Sequence, residues 1–308
     1  MKTIINSILA GSLLATFAFP QSALSSAAQV PGRRTFPHRT AGPAGHASAK
    51  SSPSLLVYVL TGGLQFGVVD ANSGAFLPIG PGLPPDVGGG LVPGPGKSLL
   101  SLSFSGNLVA IDPATGSTAV VGPTGLGDCS SPTSACGLNS ASGLGYFDGQ
   151  LYAVDFANNL YSVDAGTGAA TLIGPTGIPA LTFVPFSGNP DGTLNVFAES
   201  LFSRHGKFYA NFGTAALDPQ TGTVTSIISG EIYEIDRKTG RATPVALTDT
   251  NLTSVVNVND TLYAFNAHTG QVVILDVMTG QITPVSDLDP AASLVGGATP
   301  ARPVSPRP

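Results

Sequence analysis

Residues 160–177 read LYSVDAGTGAATLIGPTG, and close variants of this phrase recur along the chain. Each copy is an apolar run that ends in Asp, followed by two variable positions, Ser/Thr-Gly and a second apolar run. The copies are residues 66–82, 108–125, 160–177, 232–246 and 273–285. A phrase that returns at a period of about 40 residues indicates a repeat architecture.

The Asp-x-x-Thr/Ser-Gly segment of each copy predicts a tight turn between two strands. Asp accepts hydrogen bonds from backbone amides two residues ahead, Thr or Ser does so more weakly, and Gly takes positive φ. We therefore interpret the five aspartates as structural turn residues: Asp70, Asp112, Asp164, Asp236 and Asp276.

The stretch 142–164, SGLGYFDGQLYAVDFANNLYSVD, shows what precedes each turn. It divides into strand A (143–147), strand B (150–155) and strand C (160–164), and strand D follows at 169–173. Helical periodicity is almost absent, while Gly and Pro are frequent, with 39 and 26 residues. We therefore predict an all-β propeller built from four-stranded blades of about 40 residues each.

Five turns predict five blades, and six blades are the alternative if residues 181–200 form a further partial blade. The first blade lacks a leading strand, because its first apolar run, 55–60, resembles a strand B. We predict that the last apolar run, 292–298, supplies this strand A and closes the ring. Three insertions lengthen the repeats, and the third predicts a protruding hairpin: 126–141, 181–193 and 213–230.

The two ends of the chain predict export and flexibility. Residues 1–28 have the short basic start, apolar core and small residues of a signal peptide, with an uncleaved anchor as the alternative. Residues 29–53 and 300–308 predict a disordered linker and a flexible tail. The propeller is assigned to 54–299, in a secreted or periplasmic protein that is monomeric and has no membrane span when mature.

Cysteine and charge content narrow the function classes. Cys129 and Cys136 are the only cysteines, and their closeness in an exported chain predicts a local disulfide. The chain carries 13 Lys and Arg against 18 Asp and Glu, which gives a net charge of −5. So few basic residues provide no electrostatic footprint for nucleic acid or anionic lipid.

Three stretches, LYAVD (151–155), LYSVDAGTG (160–168) and IYEIDRKTG (232–240), carry a family resemblance. They resemble the repeat of PQQ-type, quinoprotein-dehydrogenase-like propellers, and also that of bacterial extracellular propellers of unassigned function. The resemblance implies a propeller. The quinoprotein repeat usually continues to a Trp docked between blades, and this chain has no Trp. No motif here matches the cofactor residues of that family, so no cofactor is predicted.

The connections from strand B to strand C and from strand D to the next strand A are predicted to share one face. All three insertions fall on this face, and elaborated loops on a rigid scaffold are the usual place for a site. The candidate ligand-binding residues there are Asp128, Asp155, Asn158, Asn159, Glu199, Asp249 and His268. Asp155 with the two asparagines is a minimal candidate for Ca²⁺, which prefers clustered oxygen ligands.

We therefore predict a non-enzymatic scaffold that binds an extracellular ligand or protein through the insertion-bearing face. A propeller hydrolase or lyase acting on a glycan is the alternative. It requires two converging carboxylates, for which Glu199 with Asp128 or Asp249 are the candidates. A quinone-dependent oxidoreductase is the third possibility.

Overall fold

The computed structural model describes residues 55–127, 141–155, 157–178, 193–217, 224–250, 252–266, 269–292 and 295–300, without the side chains of 141–142, 193–199, 214–217, 224–229 and 295. Within these ranges the regular structure consists of twenty strands and one 3₁₀ turn, Pro290–Ala292. The strands are β1 (Leu56–Thr61), β2 (Phe66–Asp70), β3 (Phe76–Pro78), β4 (Val87–Pro93), β5 (Leu99–Ser103), β6 (Asn107–Ile111), β7 (Thr118–Pro123), β8 (Ala141–Phe147), β9 (Gln150–Asp155), β10 (Asn159–Val163), β11 (Ala170–Pro175), β12 (Thr193–Arg204), β13 (Lys207–Leu217), β14 (Val224–Ile235), β15 (Ala242–Thr248), β16 (Leu252–Val258), β17 (Thr261–Asn266), β18 (Gln271–Leu275), β19 (Ile282–Asp287) and β20 (Val295–Pro300).

The strands form five antiparallel four-stranded sheets, which are the blades of a five-bladed β-propeller. Blade 1 has the order β20-β1-β2-β3, and blades 2 to 5 follow in chain order as β4–β7, β8–β11, β12–β15 and β16–β19. The predicted closure is confirmed, because β20 pairs with β1 from Val57↔Pro300 to Thr61↔Val295. Strand A of the first blade therefore comes from the end of the chain.

The six-blade alternative is wrong, because the last part of residues 181–200 belongs to strand A of blade 4. This strand, β12, begins at Thr193 and includes Glu199. The long third insertion extends β13 beyond the blade, and the extension pairs with the early part of β12, as in Thr193↔Ala216.

The protruding hairpin predicted for the third insertion is confirmed. Strands β13 and β14 remain paired through Leu217↔Val224, beyond the end of the four-stranded part of blade 4. Strands B and C of this blade, with 11 and 12 residues, are therefore about twice as long as those of the other blades.

The apolar core is divided into five clusters, and each cluster fills the space between two neighbouring blades. Between blades 3 and 4, for example, Tyr152 and Phe208 pack with ring centroids 5.0 Å apart. Both faces of the inner strands are thus buried, which is why these strands are apolar at successive positions, whereas the outermost strands are largely exposed. Phe, Leu and Val side chains fill the joints of this chain, which has no Trp.

The Asp-x-x-Thr/Ser-Gly turns join strand C to strand D in all five blades. In each turn the Asp Oδ1 accepts the backbone N–H two residues ahead, at 2.8–3.1 Å. The Gly N–H donates to the carbonyl of the same Asp, and every such Gly has a φ between 70° and 83°. Backbone hydrogen bonds to the carboxylates lower the pKa of Asp164, Asp236 and Asp276.

The same turn glycines also touch the preceding blade. A methyl group added to Gly74 would lie 1.8 Å from the carbonyl oxygen of Asp287 in blade 5. A methyl group added to any of the other four turn glycines would likewise lie 1.9–2.5 Å from a carbonyl oxygen of the preceding blade: Gly116, Gly168, Gly240 and Gly280. The Asp289 N–H donates to Gly74 O at 2.9 Å beside the first of these contacts. The five close approaches between a turn glycine and the preceding blade occur at every joint of the ring, and we call them the turn–strand contacts.

Candidate functional site

Contacts between connecting segments define two faces of the ring. Arg237, in the C–D turn of blade 4, lies 4.1 Å from the ring centre of Phe147 and 4.0 Å from the Asp148 carboxylate, next to an A–B turn. At the opposite end, the N–H of Phe104 in a B–C turn donates to the Asp86 carbonyl in a D–A connection, at 2.6 Å. We call the first end the plain face and the second the insertion face.

The innermost strand of every blade carries a β-bulge near the insertion face. In blade 3, Ala141 pairs with Asp155 and Gly143 with Val154, so that Ser142 is left out of the pairing. The residues at the equivalent positions are Gly88, Ser142, Glu199, Thr253 and Gly296. Bulges re-aim the chain at the rims of closed sheets and beside functional sites. These five residues, the bulge ring, lie on the innermost strands around the axis of the propeller, and we call this end of the axis the channel mouth.

Glu199 is the acidic member of the bulge ring. Its backbone lies in β12 between Ala198 and Ser200, both of which pair with β13. The neighbouring positions in the ring are occupied by small residues. A ligand-binding role for Glu199 stays a prediction.

Asp155, Asn158 and Asn159 come together in the B–C turn of blade 3. The Asp155 carboxylate is fully buried. Its Oδ1 accepts the Asn159 N–H at 2.7 Å, and its Oδ2 accepts Asn159 Nδ2 at 3.0 Å and the Tyr161 hydroxyl at 2.9 Å. The Asn158 N–H donates to the Asp155 carbonyl, and Asn158 takes a φ of 59°. Both carboxylate oxygens are thus engaged within the turn.

The bond from Asp155 to the amide four residues ahead recurs in other blades. Ser103 Oγ accepts the Asn107 N–H at 3.1 Å, and Thr61 Oγ1 accepts the Gln65 N–H at 3.3 Å. Strand B thus ends in a polar residue that closes the B–C turn. Asp155 is the carboxylate version of this turn, in a position where two other blades have a hydroxyl group.

Burial has a direct electrostatic effect on this turn. Removal of the Asp155 carboxylate from water raises its pKa above the ordinary value of 3.8, although four hydrogen bonds act in the opposite direction. Burial and the adjacent carboxylate raise the pKa of Tyr161 to about 12. The neutral form of Asp155 is therefore favoured by folding.

We expect the Asp155 turn to become more stable in mild acid. Because the folded pKa is raised, the stabilisation is fully present below pH 3.8 and is lost as the pH rises through the folded value. The midpoint temperature of the native chain, relative to Asp155→Asn, should therefore increase as the pH falls from 7 to 4. Asp164→Asn provides a control of opposite sign, because the pKa of Asp164 is lowered. Equal pH trends in the two comparisons would refute this assignment.

A second polar cluster lies at the edge of the channel mouth in blade 2. Asp86 Oδ2 accepts the Ser105 hydroxyl at 3.0 Å, and Asn107 Nδ2 donates to Ser105 Oγ at 2.9 Å. Beside them the Phe104 side chain is 40% exposed. Its ring lies 3.7 Å from the position that a Cβ on Gly88 of the bulge ring would occupy. Sequence analysis missed this group, because an isolated Phe-Ser pair in a turn carries no recognisable motif.

A third polar cluster joins blades 4 and 5 below the insertion face. Asn211 is fully buried, and its Nδ2 donates to the Leu252 carbonyl of the next blade. Its Oδ1 has no hydrogen-bond partner among the described residues. Nearby, Thr250 Oγ1 donates to Asn266 Oδ1 at 3.0 Å. Blades 1, 2, 3 and 5 have an apolar residue at the position of Asn211, so the polar group is particular to this joint.

Charge is divided unequally between the two faces. Between residues 55 and 300 the basic residues are Lys97, Arg204, Lys207, Arg237, Lys238 and Arg241. All six lie in or beside A–B or C–D turns, at the plain face. The described parts of the B–C and D–A connections contain no Lys or Arg and three acidic residues, Asp86, Asp249 and Asp289. The described part of the insertion face therefore carries carboxylates and no basic side chain.

Of the remaining candidate residues, one is exposed and the others lie outside the described residues. Asp249 is exposed in the connection between blades 4 and 5. Asp128, His268, Cys129 and Cys136 lie outside the described residues, so the disulfide stays a prediction. The described residues contain no group of three or more His, Cys, Asp or Glu that could hold a metal ion, and Ca²⁺ binding also stays a prediction. No helix in the described part of the chain is long and apolar enough to cross a membrane.

Comparisons with known proteins agree on the fold alone. No protein-family model matches the chain, and no curated protein is significantly similar in sequence. A chain from the nidogen–laminin complex has a TM-score of 0.45 and 11% identity, over 80% of this chain and 98% of its own. A Bacteroides thetaiotaomicron protein of unknown function has a TM-score of 0.43 and 14% identity, over 71% and 52%. Virginiamycin B lyase from Staphylococcus aureus has a TM-score of 0.37 and 11% identity, over 73% and 63%.

This chain therefore spans less than two thirds of the last two proteins. The neighbours are β-propellers, which is the class that the fold of this chain defines. The resemblance of its repeat to PQQ-type propellers stays a prediction.

Proposed function

We propose that this protein is an exported, non-enzymatic scaffold that binds a basic protein or peptide through its insertion face. The observation that carries the proposal is the separation of charge, with every Lys and Arg of the propeller at the plain face. Complementary potentials accelerate association and exclude partners of like charge. A basic partner would therefore be drawn to the insertion face and repelled by the plain face of blade 4.

The shape of the insertion face supports a binding role. Four members of the bulge ring are Gly, Ser or Thr, so small residues surround most of the channel mouth. The long hairpin of blade 4 adds surface at its margin, since its B and C strands extend to Leu217 and from Val224. Rigid scaffolds that carry such loops commonly bind through them.

The glycan-acting alternative gains less support. It requires two carboxylates that converge on a substrate, and the neighbouring bulge-ring positions around Glu199 carry no second acidic residue. The Asp155 carboxylate is already engaged by Asn159 and Tyr161.

Selection from an unbiased peptide library against the full chain tests the proposal. Selected peptides should be rich in Lys and Arg, and their binding should weaken roughly tenfold between 50 and 300 mM salt. The double variant Asp249→Asn/Asp287→Asn removes two charges at the insertion-face ends of the strands and should weaken binding further. Asp148→Asn/Asp260→Asn removes two charges at A–B turns and is the matched control. Asn is tolerated at both control positions, whose φ values are 51° and 64°.

Peptides without a charge preference would contradict the proposal. So would equal losses of affinity in the two double variants, because the effect would then depend on total charge and not on the face.

A further inference from the structure

Phe104 is an exposed aromatic side chain in a defined position. It is the first residue after β5, and its N–H is tied to the Asp86 carbonyl at 2.6 Å. One edge of its ring lies near Gly88, at 3.7 Å from the position that a Cβ there would occupy. Phe is usually buried, whereas this ring is 40% exposed beside the channel mouth. The ring therefore offers an aromatic surface to a ligand.

Asp86 is the residue whose carbonyl accepts the Phe104 N–H, and its carboxylate is held in place from one side. Its Oδ2 accepts the Ser105 hydroxyl at 3.0 Å. Ser105 is itself fixed by Ser103 Oγ at 2.7 Å and by Asn107 Nδ2 at 2.9 Å. No described residue donates to Asp86 Oδ1, and no Lys or Arg occurs in the connecting segments of this face. Among the described residues, one oriented carboxylate oxygen therefore has no donor and can accept one from a partner.

An exposed aromatic residue and a carboxylate residue joined by a backbone hydrogen bond match one kind of side chain. Cations bind over aromatic faces, and an Arg guanidinium can stack on a ring while donating to a carboxylate. We infer that Phe104 and Asp86 form the anchor that holds an arginine side chain of the protein partner. This inference rests on the proposed function, and it names the contact at which the basic partner is recognised.

The position of the anchor fits this role. Contacts that dominate binding lie near the centre of an interface, and this one adjoins the bulge ring and not the outer strands. A basic partner drawn to the insertion face would meet the exposed ring at the channel mouth. The polar group at Ser105 and Asn107 would orient the carboxylate before the partner arrives, which reduces the entropy cost of binding.

The anchor can be tested with a hexa-arginine peptide and the matching hexa-citrulline peptide, whose side chains have the same shape without the charge. Because the chain has no Trp, Phe104→Trp places a single indole at the site, and its fluorescence reports binding there. We expect a saturable change with hexa-arginine and none with hexa-citrulline. By calorimetry, Phe104→Leu should weaken hexa-arginine binding roughly two- to fivefold and Asp86→Asn roughly tenfold.

Tyr146→Leu is the matched control for the ring, since Tyr146 is also 40% exposed but belongs to a different blade. Asp249→Asn controls for the loss of one charge from the same face. The inference is overturned if Phe104→Leu weakens binding no more than Tyr146→Leu does. It is also overturned if hexa-citrulline binds as well as hexa-arginine, which would indicate recognition of shape or of a neutral ligand. The proposed function survives either result, and it fails separately if the library selection shows no basic preference.

Discussion

Gly74→Ala is expected to lower the free energy of unfolding by about 2–5 kcal/mol. Two costs combine: a non-Gly residue at positive φ costs roughly 1–2 kcal/mol, and overpacking costs roughly 1–3 kcal/mol. The second cost arises because the added methyl group would lie 1.8 Å from the Asp287 carbonyl, at the contact where blade 5 meets blade 1. Urea denaturation of the purified chain measures the effect.

Gly206→Ala separates the two costs. Gly206 lies in the A–B turn of blade 4 with a φ of 75°, close to the 73° of Gly74, and an added methyl group there would meet no atom within 4 Å. This control should lose only about 1–2 kcal/mol, the part that comes from the backbone conformation. Equal losses in the two variants would show that the contact with Asp287 adds nothing to the stability of the ring.

The contrast between these glycines shows why sequence predicted the turns better than their packing. The Asp-x-x-Thr/Ser-Gly pattern reports local hydrogen bonds, and a local pattern suffices to count five turns and five blades. It says nothing about the neighbouring blade. The contact of Gly74 with Asp287 joins residues that are far apart in sequence. The positive φ of the turn already accounts for a Gly at this position, so the residue type does not reveal the contact.

The GPTG segments show a signal that was present and not interpreted. Thr124 and Thr176 occupy the same position in two copies of the phrase, and both are buried. Each accepts a backbone N–H from the next blade, with Ala170 N to Thr124 O and Ala242 N to Thr176 O at 2.9 Å. The repeated Pro-Thr could have predicted a second contact between neighbouring blades, because an exposed loop has no packing constraint that would repeat it.

In the candidate site, too, local groupings could be predicted from the sequence and long-range ones could not. Asp155, Asn158 and Asn159 were predicted as neighbours because they are close in sequence, and the structure places them in one turn. Phe104 and Asp86 are 18 residues apart, and only the antiparallel pairing of β4 with β5 brings them together. Asn211 carried a weaker signal. In the alignment of KFYANF with QLYAVD and TLYAFN, it is a polar residue in an apolar column.

Removal of β20 is expected to abolish the cooperative folding of the monomer. A chain that ends at Ala292 lacks the strand that pairs with β1 at five positions, from Val57↔Pro300 to Thr61↔Val295. It also lacks Ala298 and Thr299, both buried. Each backbone hydrogen bond contributes about 0.5–1.5 kcal/mol net, while a whole domain is stable by only about 5–15 kcal/mol. The open edge of β1 should then drive association between chains.

A chain that ends at Pro300 retains all of β20 and is the control for truncation itself. Light scattering after size exclusion, with thermal unfolding followed by circular dichroism, should show a cooperative monomer for this control and not for the shorter chain. A monomer of the shorter chain that melts within a few degrees of the control would show that closure by β20 is dispensable.

Supplying β20 as a separate peptide tests closure more directly. A peptide of residues 293–308 should convert the shorter chain into a cooperatively melting complex, because the pairing with β1 does not require a covalent link. A Gly297→Ala peptide should fail, since the added methyl group would lie 2.6 Å from the Gly90 carbonyl carbon and 2.7 Å from the Leu91 nitrogen. A Gly296→Ala peptide should succeed, because its methyl group would meet only the Gly88 carbonyl, at 3.4 Å. Rescue by both peptides would mean that β20 closes blade 1 without packing against blade 2, whereas rescue by the Gly296 variant alone requires both contacts.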